Sequence, residues 1–412
     1  MSGTLHSRAA FLPSLFAVCL VCFLVPAAPA AAGGPGQPGA IVGYGAWEPF
    51  IGTDLTTPAI PDYNANYFAY AFVRTDEAKY VGLRLKGQFG NARYMSFNIY
   101  RIHQSPSYGA LTDVELLPAP GSVNPFLPGA DPDATNRSYV LAVQPAGYPK
   151  DPQENTLEFD PLQMASLVVM VRYYVPQGSG TAGVPLPAME AYDVRTGESV
   201  PLPEQYLLGG RSMARYEWIM RPIFTTIVDS KLRFYHSAGA GLFPNADNLY
   251  LIGAVTRRRG QVVVVRVKPP TFPKDASEYG STQVRYWSFN EGNRDTSTPI
   301  GRRDDQFKVA SDGYVYVAVG DKGIRRQAEK RGYDFMPWLI RGQTGVIIYR
   351  NMVTDPSYAG SIDKVPLLDL SDPRNISAQN ATRFIGDYSP TGVVVSVRQF
   401  LKDGGGITPP RR

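Results

Sequence analysis

Two stretches of this chain carry one pattern in one order, which restricts the fold to a unit that can be built twice and joined. The first stretch holds Asn64-Ala65-Asn66, a run from Tyr80 to Lys86, and then Arg93-Tyr94-Met95-Ser96-Phe97-Asn98. The second holds Asn245 to Asn248, a run from Gln261 to Lys268, and Arg285-Tyr286-Trp287-Ser288-Phe289-Asn290. Asn66 and Asn248 are 182 positions apart, and so are Lys86 and Lys268. Arg93 and Arg285 are 192 apart, so ten extra residues, visible around Phe272-Pro273-Lys274-Asp275, precede the second motif. Tyr139 aligns with Tyr316 at 177, Arg172 with Arg350 at 178, and Val184 with Val365 at 181. Ordered markers with so little drift imply an internal duplication.

Each copy reads as strands. Residues 80–86, 93–100, 139–143 and 167–174, with 261–268, 285–289, 314–319 and 346–350 in the second copy, are short runs rich in Val, Tyr, Phe and Leu. Gly, Pro, Asn or Asp bounds them, as turn chemistry requires. The alternation Val81-Gly82-Leu83-Arg84-Leu85-Lys86 predicts one buried and one wet face, whereas Val262 to Val265, apolar throughout, predicts a strand covered on both sides. Helix is expected only over residues 211–224, from the spacing of Met213, Tyr216, Ile219, Met220 and Ile223, and over residues 322–330. The expected fold is therefore all-β with minor α, two tandem jelly-roll-like β-sandwich modules joined by a partly helical central segment. The boundaries read as a signal over 1–32, a Gly/Pro-rich lead-in over 33–59, modules over 60–202 and 244–400, a connector over 203–243 and a tail over 401–412.

Arg8 followed by an apolar run over residues 9–25 and small residues to Gly34 has the layout of a cleavable secretory signal. The run is shorter than the roughly 20 apolar residues a spanning helix needs, so no membrane span is expected after cleavage. A secreted or periplasmic location follows. Both cysteines, Cys19 and Cys22, fall in that segment, which leaves the mature chain no disulfide and no thiolate chemistry. The length suffices to bury a core without such staples. Removing Arg8 lowers the net charge from +5 to +4, and the basic runs Arg257-Arg258-Arg259, Arg302-Arg303 and Arg325-Arg326 lack an aromatic platform, so nucleic acid is not an expected partner.

The second copy's Arg285-Tyr286-Trp287-Ser288, Asp312 to Val317, Met336-Pro337-Trp338-Leu339, Gly345 to Asn351 and Val365-Pro366 resemble, in order, the β-sandwich domain of the DUF1214/DUF1254 families. These are bacterial proteins, often exported, of unassigned function. The likeness covers about a hundred residues of the second copy and is weaker in the first, where Met95 stands for the tryptophan. It implies a sandwich in an envelope setting and no chemistry.

The candidate catalytic residues are His103, Asp113 and Glu115. A triad needs a histidine base, a nucleophile and an orienting acid within reach of one another. His103 precedes Asp113 and Glu115, but no G-x-S-x-G elbow accompanies it, and Ser237 beside His236 is not a nucleophile context. Asp113 and Glu115, two apart on an expected strand, would share one face, as paired glycosidase acids do, although acids at a strand edge commonly just face water. No histidine or cysteine pattern predicts zinc, Asp131-Pro132-Asp133 lacks the spacing of a calcium loop, and no phosphate-cradling glycine motif appears, so neither metal nor cofactor is expected.

Candidate ligand-binding residues are Arg93, Tyr100, Arg101, Tyr108, Arg285 and Trp287. Arg93 and Arg285 recur with Asn98 and Asn290, and the structural reading has each arginine pairing an acid across its sandwich while each asparagine ends its strand. Tyrosines suit a groove that stacks on sugars or holds a ring, and also serve in sandwich cores. The leading functional expectation is an exported ligand-binding protein for a small molecule or saccharide. A hydrolase or lyase and a structural envelope component are the alternatives, and the oligomeric state is left open.

Overall fold

A computed structural model describes residues 46–51, 60–76, 78–101, 107–152, 154–206, 208, 223, 225–238 and 243–410. The described residues form one compact unit, and no helix among them is long and apolar enough to cross a membrane. Nearly all of the expected helix over 211–224 lies outside the described residues, as does His103.

The first module contains β1 (Glu48–Ile51), β2 (Ala65–Val73), β3 (Val81–Gln88), β4 (Tyr94–Tyr100), β5 (Gly109–Thr112), β6 (Ser138–Pro145), β7 (Asn155–Phe159), β8 (Ser166–Tyr174), β9 (Ala188–Asp193) and β10 (Ser199–Val200). They form two sheets, β1-β2-β8-β4-β5 and β10-β9-β3-β6-β7. Inward-facing Phe68, Leu83, Phe97, Leu141 and Val169 from both sheets share one core. The second module contains β11 (Tyr235–Ser237), β12 (Asn248–Thr256), β13 (Gln261–Val267), β14 (Val284–Gly292), β15 (Ile300–Arg303), β16 (Val315–Gly320), β17 (Asp334–Pro337), β18 (Thr344–Thr354) and β19 (Thr391–Ser396). Its sheets run β11-β12-β18-β14-β15 and β17-β16-β13-β19. Apart from β10, which has no counterpart among the described strands, this repeats the first module's order, including a parallel pair, β6 with β7 and β16 with β17, in each. The chain is thus mostly β with minor α, in two sandwich modules.

Register tests the alignment of the copies. Ser96 pairs with Arg172 and Ser288 with Arg350, which keeps the offsets of 192 and 178 together. Two other matches need correction. Tyr67 pairs with Arg172 and Tyr250 with Arg350, so Asn248 corresponds to Ala65 and not to Asn66. Tyr139 points into the first core while Tyr316 points away from the second, against Tyr333 and Phe400. Two residues on opposite faces of their strands do not correspond, because strand side chains alternate between the faces.

The apolar strand β13 is covered on both faces. Val263 and Val265 join the sandwich core, while Val262 and Val264 lie under Ala328 and Phe400. These two come from the helices Arg325–Lys330, within the expected helix over 322–330, and Val397–Asp403. Strand β11 lies within the stretch read as connector, and β1 within the lead-in.

The modules meet through the outer face of the first module's β2-β4-β8 sheet. Tyr67, Tyr94, Tyr100 and Tyr174 pack there against Phe243, Tyr286 and Met352. The contacts are reciprocal. Arg172 donates to the Phe243 carbonyl at 2.7 Å, and Arg350 donates to the Ile60 carbonyl at 2.5 Å. Ile60 and Phe243 both have positive φ, 45° and 49°, a region that costs non-glycine residues energy and persists only where surroundings hold it.

Candidate functional site

Arg93 and Arg285 sit at the starts of β4 and β14, and each reaches an acid of the other module. Arg285 is buried and lies 3.3 and 3.4 Å from the two oxygens of Asp113. Arg93 pairs with Asp304 and, at 3.1 Å, with Asp305. The acids are themselves equivalent: Asp113 accepts the Met95 amide at 2.8 Å, and Asp304 accepts the Trp287 amide at 3.1 Å. The expected acid partner therefore exists, across the module junction and not across one sandwich. Burial pushes Asp113 up to about 6, with Arg285 and the Met95 amide acting against that rise. Asp304 is also raised, again by burial, with Arg93 opposing.

The repeated asparagines do not end their strands. Asn98 and Asn290 are buried inside β4 and β14, and each carbonyl oxygen takes an amide across the junction, from Ala246 at 3.2 Å and Tyr63 at 2.9 Å. Around them lies a polar layer. Asp62 accepts from the Tyr286 hydroxyl at 2.8 Å and the Ser288 hydroxyl at 2.6 Å, and Tyr94 donates to Asp247.

Asp113 and Glu115 do not share a strand face, because β5 stops at Thr112 and residues 113–115 form a turn. Glu115 is exposed and folds back to accept the Thr112 amide and hydroxyl at 2.9 and 3.0 Å. Trp287 is buried, its ring stacked on Phe307 at 4.9 Å. Tyr100 is also buried and donates to the Pro244 carbonyl at 2.7 Å. Arg101 donates to the Gln163 carbonyl at 3.1 Å, and half-buried Tyr108 packs on the first core. The junction thus brings together Arg93, Asp113 and Arg285, with Tyr100 packed on Phe243 farther along β4. The Trp287 ring lies in the second module's core, and Arg101 and Tyr108 lie near the other end of β4. His236 is buried in β11 and its Nδ1 donates to the Val365 carbonyl at 2.6 Å.

Arg93 also lines a half-open cleft of about 720 Å³ between the modules. From the first module come Asn91, Asp133, Arg137 and Gln177, and from the second Lys274, Asp275, Arg303 and Asp305. Arg137 is committed to structure, donating to the carbonyls of Ala134 and Pro132 and to Asn91. Lys274, Asp133 and Gln177 are exposed on the rim. The second copy's extra residues build one wall. Asp275 caps the short 3-10 turn Ala276–Glu278, and Ala276 and Tyr279 pack on the first module's core. Tyr279 donates to the Arg93 carbonyl at 3.1 Å, and its ring lies 3.9 Å from the Arg285 guanidinium carbon. The sequence signal for this wall is the ten-residue insertion; nothing in the sequence distinguishes Tyr279 itself. Among the described residues no cluster of three or more metal-ligating side chains occurs.

This architecture is that of a duplicated all-β sandwich protein. Neither a protein-family model nor a curated relative matches the chain. Its fold is similar to that of an uncharacterized protein from Burkholderia cenocepacia, at 13% identity over 85% of this chain and 81% of that one, with a TM-score of 0.52. The VPA0106 protein from Vibrio parahaemolyticus matches at 11% identity over 82% and 90% of the two chains, with a TM-score of 0.42. The first likeness shows a fold shared with a bacterial protein and no activity.

Proposed function

We propose that this chain is an exported binding protein for a polar small molecule or saccharide, held in the junction cleft beside Arg93. The observation that carries the reading is the cleft itself, about 720 Å³ and lined by both modules. That volume falls within the roughly 300–1,000 Å³ of small-molecule sites, which favour boundaries between structural units. Its lining mixes cationic donors with carboxylate and amide acceptors, which suits hydroxyl groups because each both donates and accepts. In this reading Arg93, Lys274, Asp133 and Gln177 contact the ligand, while Asp113 and Arg285 hold the junction rigid behind it. Asp113 and Glu115 already have partners, which favours binding over paired-acid hydrolysis.

Membership of the DUF1214/DUF1254 group is part of the same proposal, supported by the motif order in the second copy and by the duplicated sandwich. So is export. Mass measurement of the protein recovered from the envelope or medium tests it, a mature start just after residues 28–32 being the expected outcome.

The functional test incubates the purified mature chain with envelope extract and follows small molecules by mass spectrometry. Depletion proportional to protein, reversed on denaturation and lost in an Asp133→Ala/Lys274→Ala variant, is expected. Loss of a compound far beyond the protein present, with a new mass appearing, overturns binding in favour of an enzyme.

A further inference from the structure

The two basic runs Arg302-Arg303 and Arg325-Arg326, far apart in the sequence, contribute to one cleft of about 700 Å³ in the second module. Arg302 comes from β15 and Arg325 from the short helix after β16. Lys308 and Lys322 line the same space, as do Glu329 and Asp334, with Ile300, Phe335 and Pro337 providing apolar surface. Four cations therefore face two carboxylates.

The ion pairs decide which charges are available. Arg302 lies 3.4 Å from Asp334 and donates to the carbonyls of Phe335 and Gln306, with its guanidinium over the Phe307 ring. Arg325 lies 2.8 Å from Glu329. Asp334 also accepts the Lys308 amide at 2.8 Å, so its oxygens are engaged too. The ammonium groups of Lys308 and Lys322 form no ion pair among the described residues, and both lysines are exposed. The two carboxylates are matched by the two arginines, and the excess positive charge rests on the two lysines.

One wall of this cleft has no equivalent among the described residues of the first module. The link from β16 to β17 carries the helix Arg325–Lys330 that forms one wall, whereas the described residues of the corresponding link, 146–154, contain no helix. Tyr333, whose hydroxyl donates to the Ile407 carbonyl at 2.5 Å, fixes the end of that link against the C-terminal segment. The wall is thus an addition braced from behind.

The geometry points to a second binding site here, separate from the junction cleft, for a ligand carrying two or more oxyanion groups, phosphate or carboxylate, bridged between Lys308 and Lys322. Flexible lysine ammonium groups bind such anions as point charges. At an intermediate effective dielectric the attraction survives partial exposure, and it weakens as salt rises.

Calorimetric titration of the mature chain with tripolyphosphate, and separately with citrate, tests the site. Saturable binding is expected to weaken at least tenfold in Lys308→Ala/Lys322→Ala. It should be kept in Arg326→Ala/Lys402→Ala, which removes the same charge outside the cleft. Saturation by tripolyphosphate alone assigns a phosphoryl ligand and by citrate alone a carboxylate ligand, and either supports the site. Equal weakening in both double variants, or no saturable binding of either probe, overturns it. Weakening in Lys274→Ala but not in Lys308→Ala/Lys322→Ala places the anion in the junction cleft and overturns this inference while leaving the proposed function standing.

Discussion

Arg285 and Asp113 lie 172 positions apart in the chain, yet one guanidinium nitrogen of the first sits almost equidistant from both carboxylate oxygens of the second, at 3.3 and 3.4 Å. Arg93 and Asp304 repeat the contact with the roles of the modules exchanged. Both pairs are almost fully enclosed at their acids, which show no side-chain exposure.

Breaking such a pair strands a charge. Arg285→Ala is expected to cost about 3–5 kcal/mol of stability, because Asp113 is left buried with only the Met95 amide. Adding Asp113→Asn should recover part of that loss, since the amide oxygen still accepts from Met95. Urea unfolding of the single and double variants measures this; a single-variant loss below about 1 kcal/mol would show the pair contributes no more than a surface ion pair does.

The buried acids set a pH dependence with a definite sign. Asp113 rises from 3.8 to about 6 and Glu291 from 4.5 to about 8, both chiefly through burial. Between each pair of values the folded chain holds more protons than the unfolded chain, so stability falls as pH rises through that window. Glu291 accepts the Leu339 amide at 2.9 Å, while its other oxygen is buried without a partner among the described residues. Glu291→Gln keeps an acceptor for that amide and removes the titration. It should leave stability at pH 5 nearly unchanged and raise it at pH 8 by on the order of 2–4 kcal/mol, since each tenfold change in proton affinity corresponds to about 1.4 kcal/mol. Parallel decline of parent and variant between pH 5 and 8 would remove Glu291 as the cause.

Gly301 runs close against the side chains of Asn290 and Tyr63 at the junction. A Cβ there would collide with the Asn290 amide and stand 2.6 Å from Cβ of Tyr63, both fixed by the hydrogen bond between them. Gly301→Ala is expected to cost about 1–3 kcal/mol through overpacking. A thermal unfolding midpoint within a degree of the parent would show that the junction yields there.

Trp287→Met imports the first copy's residue into the second. It removes the stack on Phe307 but also an indole N–H that is buried without a partner among the described residues. The two effects oppose, so a loss of about 1–2 kcal/mol is expected, well short of the 3–5 kcal/mol typical of truncating an aromatic to alanine. Denaturant titration of both variants, Trp287→Met and Trp287→Ala, gives the comparison, and equal losses would mean the methionine side chain recovers none of the packing the indole supplies.

The duplication is legible because the arginines at both junction positions are fixed by register and could not drift. The match of Tyr139 with Tyr316 misleads because both are aromatic strand residues, and residue identity alone does not report which face a side chain occupies. Asp113 and Glu115 look like neighbours on one face, yet the Glu115 carboxylate binds the Thr112 amide and so ends the strand it would otherwise extend. Asn98 and Asn290 look like strand ends because asparagine usually is; their partners are amides of the other module, invisible to a local reading. Neither cleft is legible, since each is assembled from segments distant in sequence.

The exchanged pairs at the junction have a consequence for how the chain holds together. Residue i of one half meets residue j of the other, and j meets i, which is the geometry of an isologous two-fold dimer. The molecule is in effect a dimer whose subunits share one backbone. Tethering replaces a concentration-dependent association with an intramolecular one, so the assembly no longer dissociates on dilution. It also frees the halves from identity. A true homodimer must place every substitution twice, whereas this chain carries the Phe272–Tyr279 wall on one side of its axis alone.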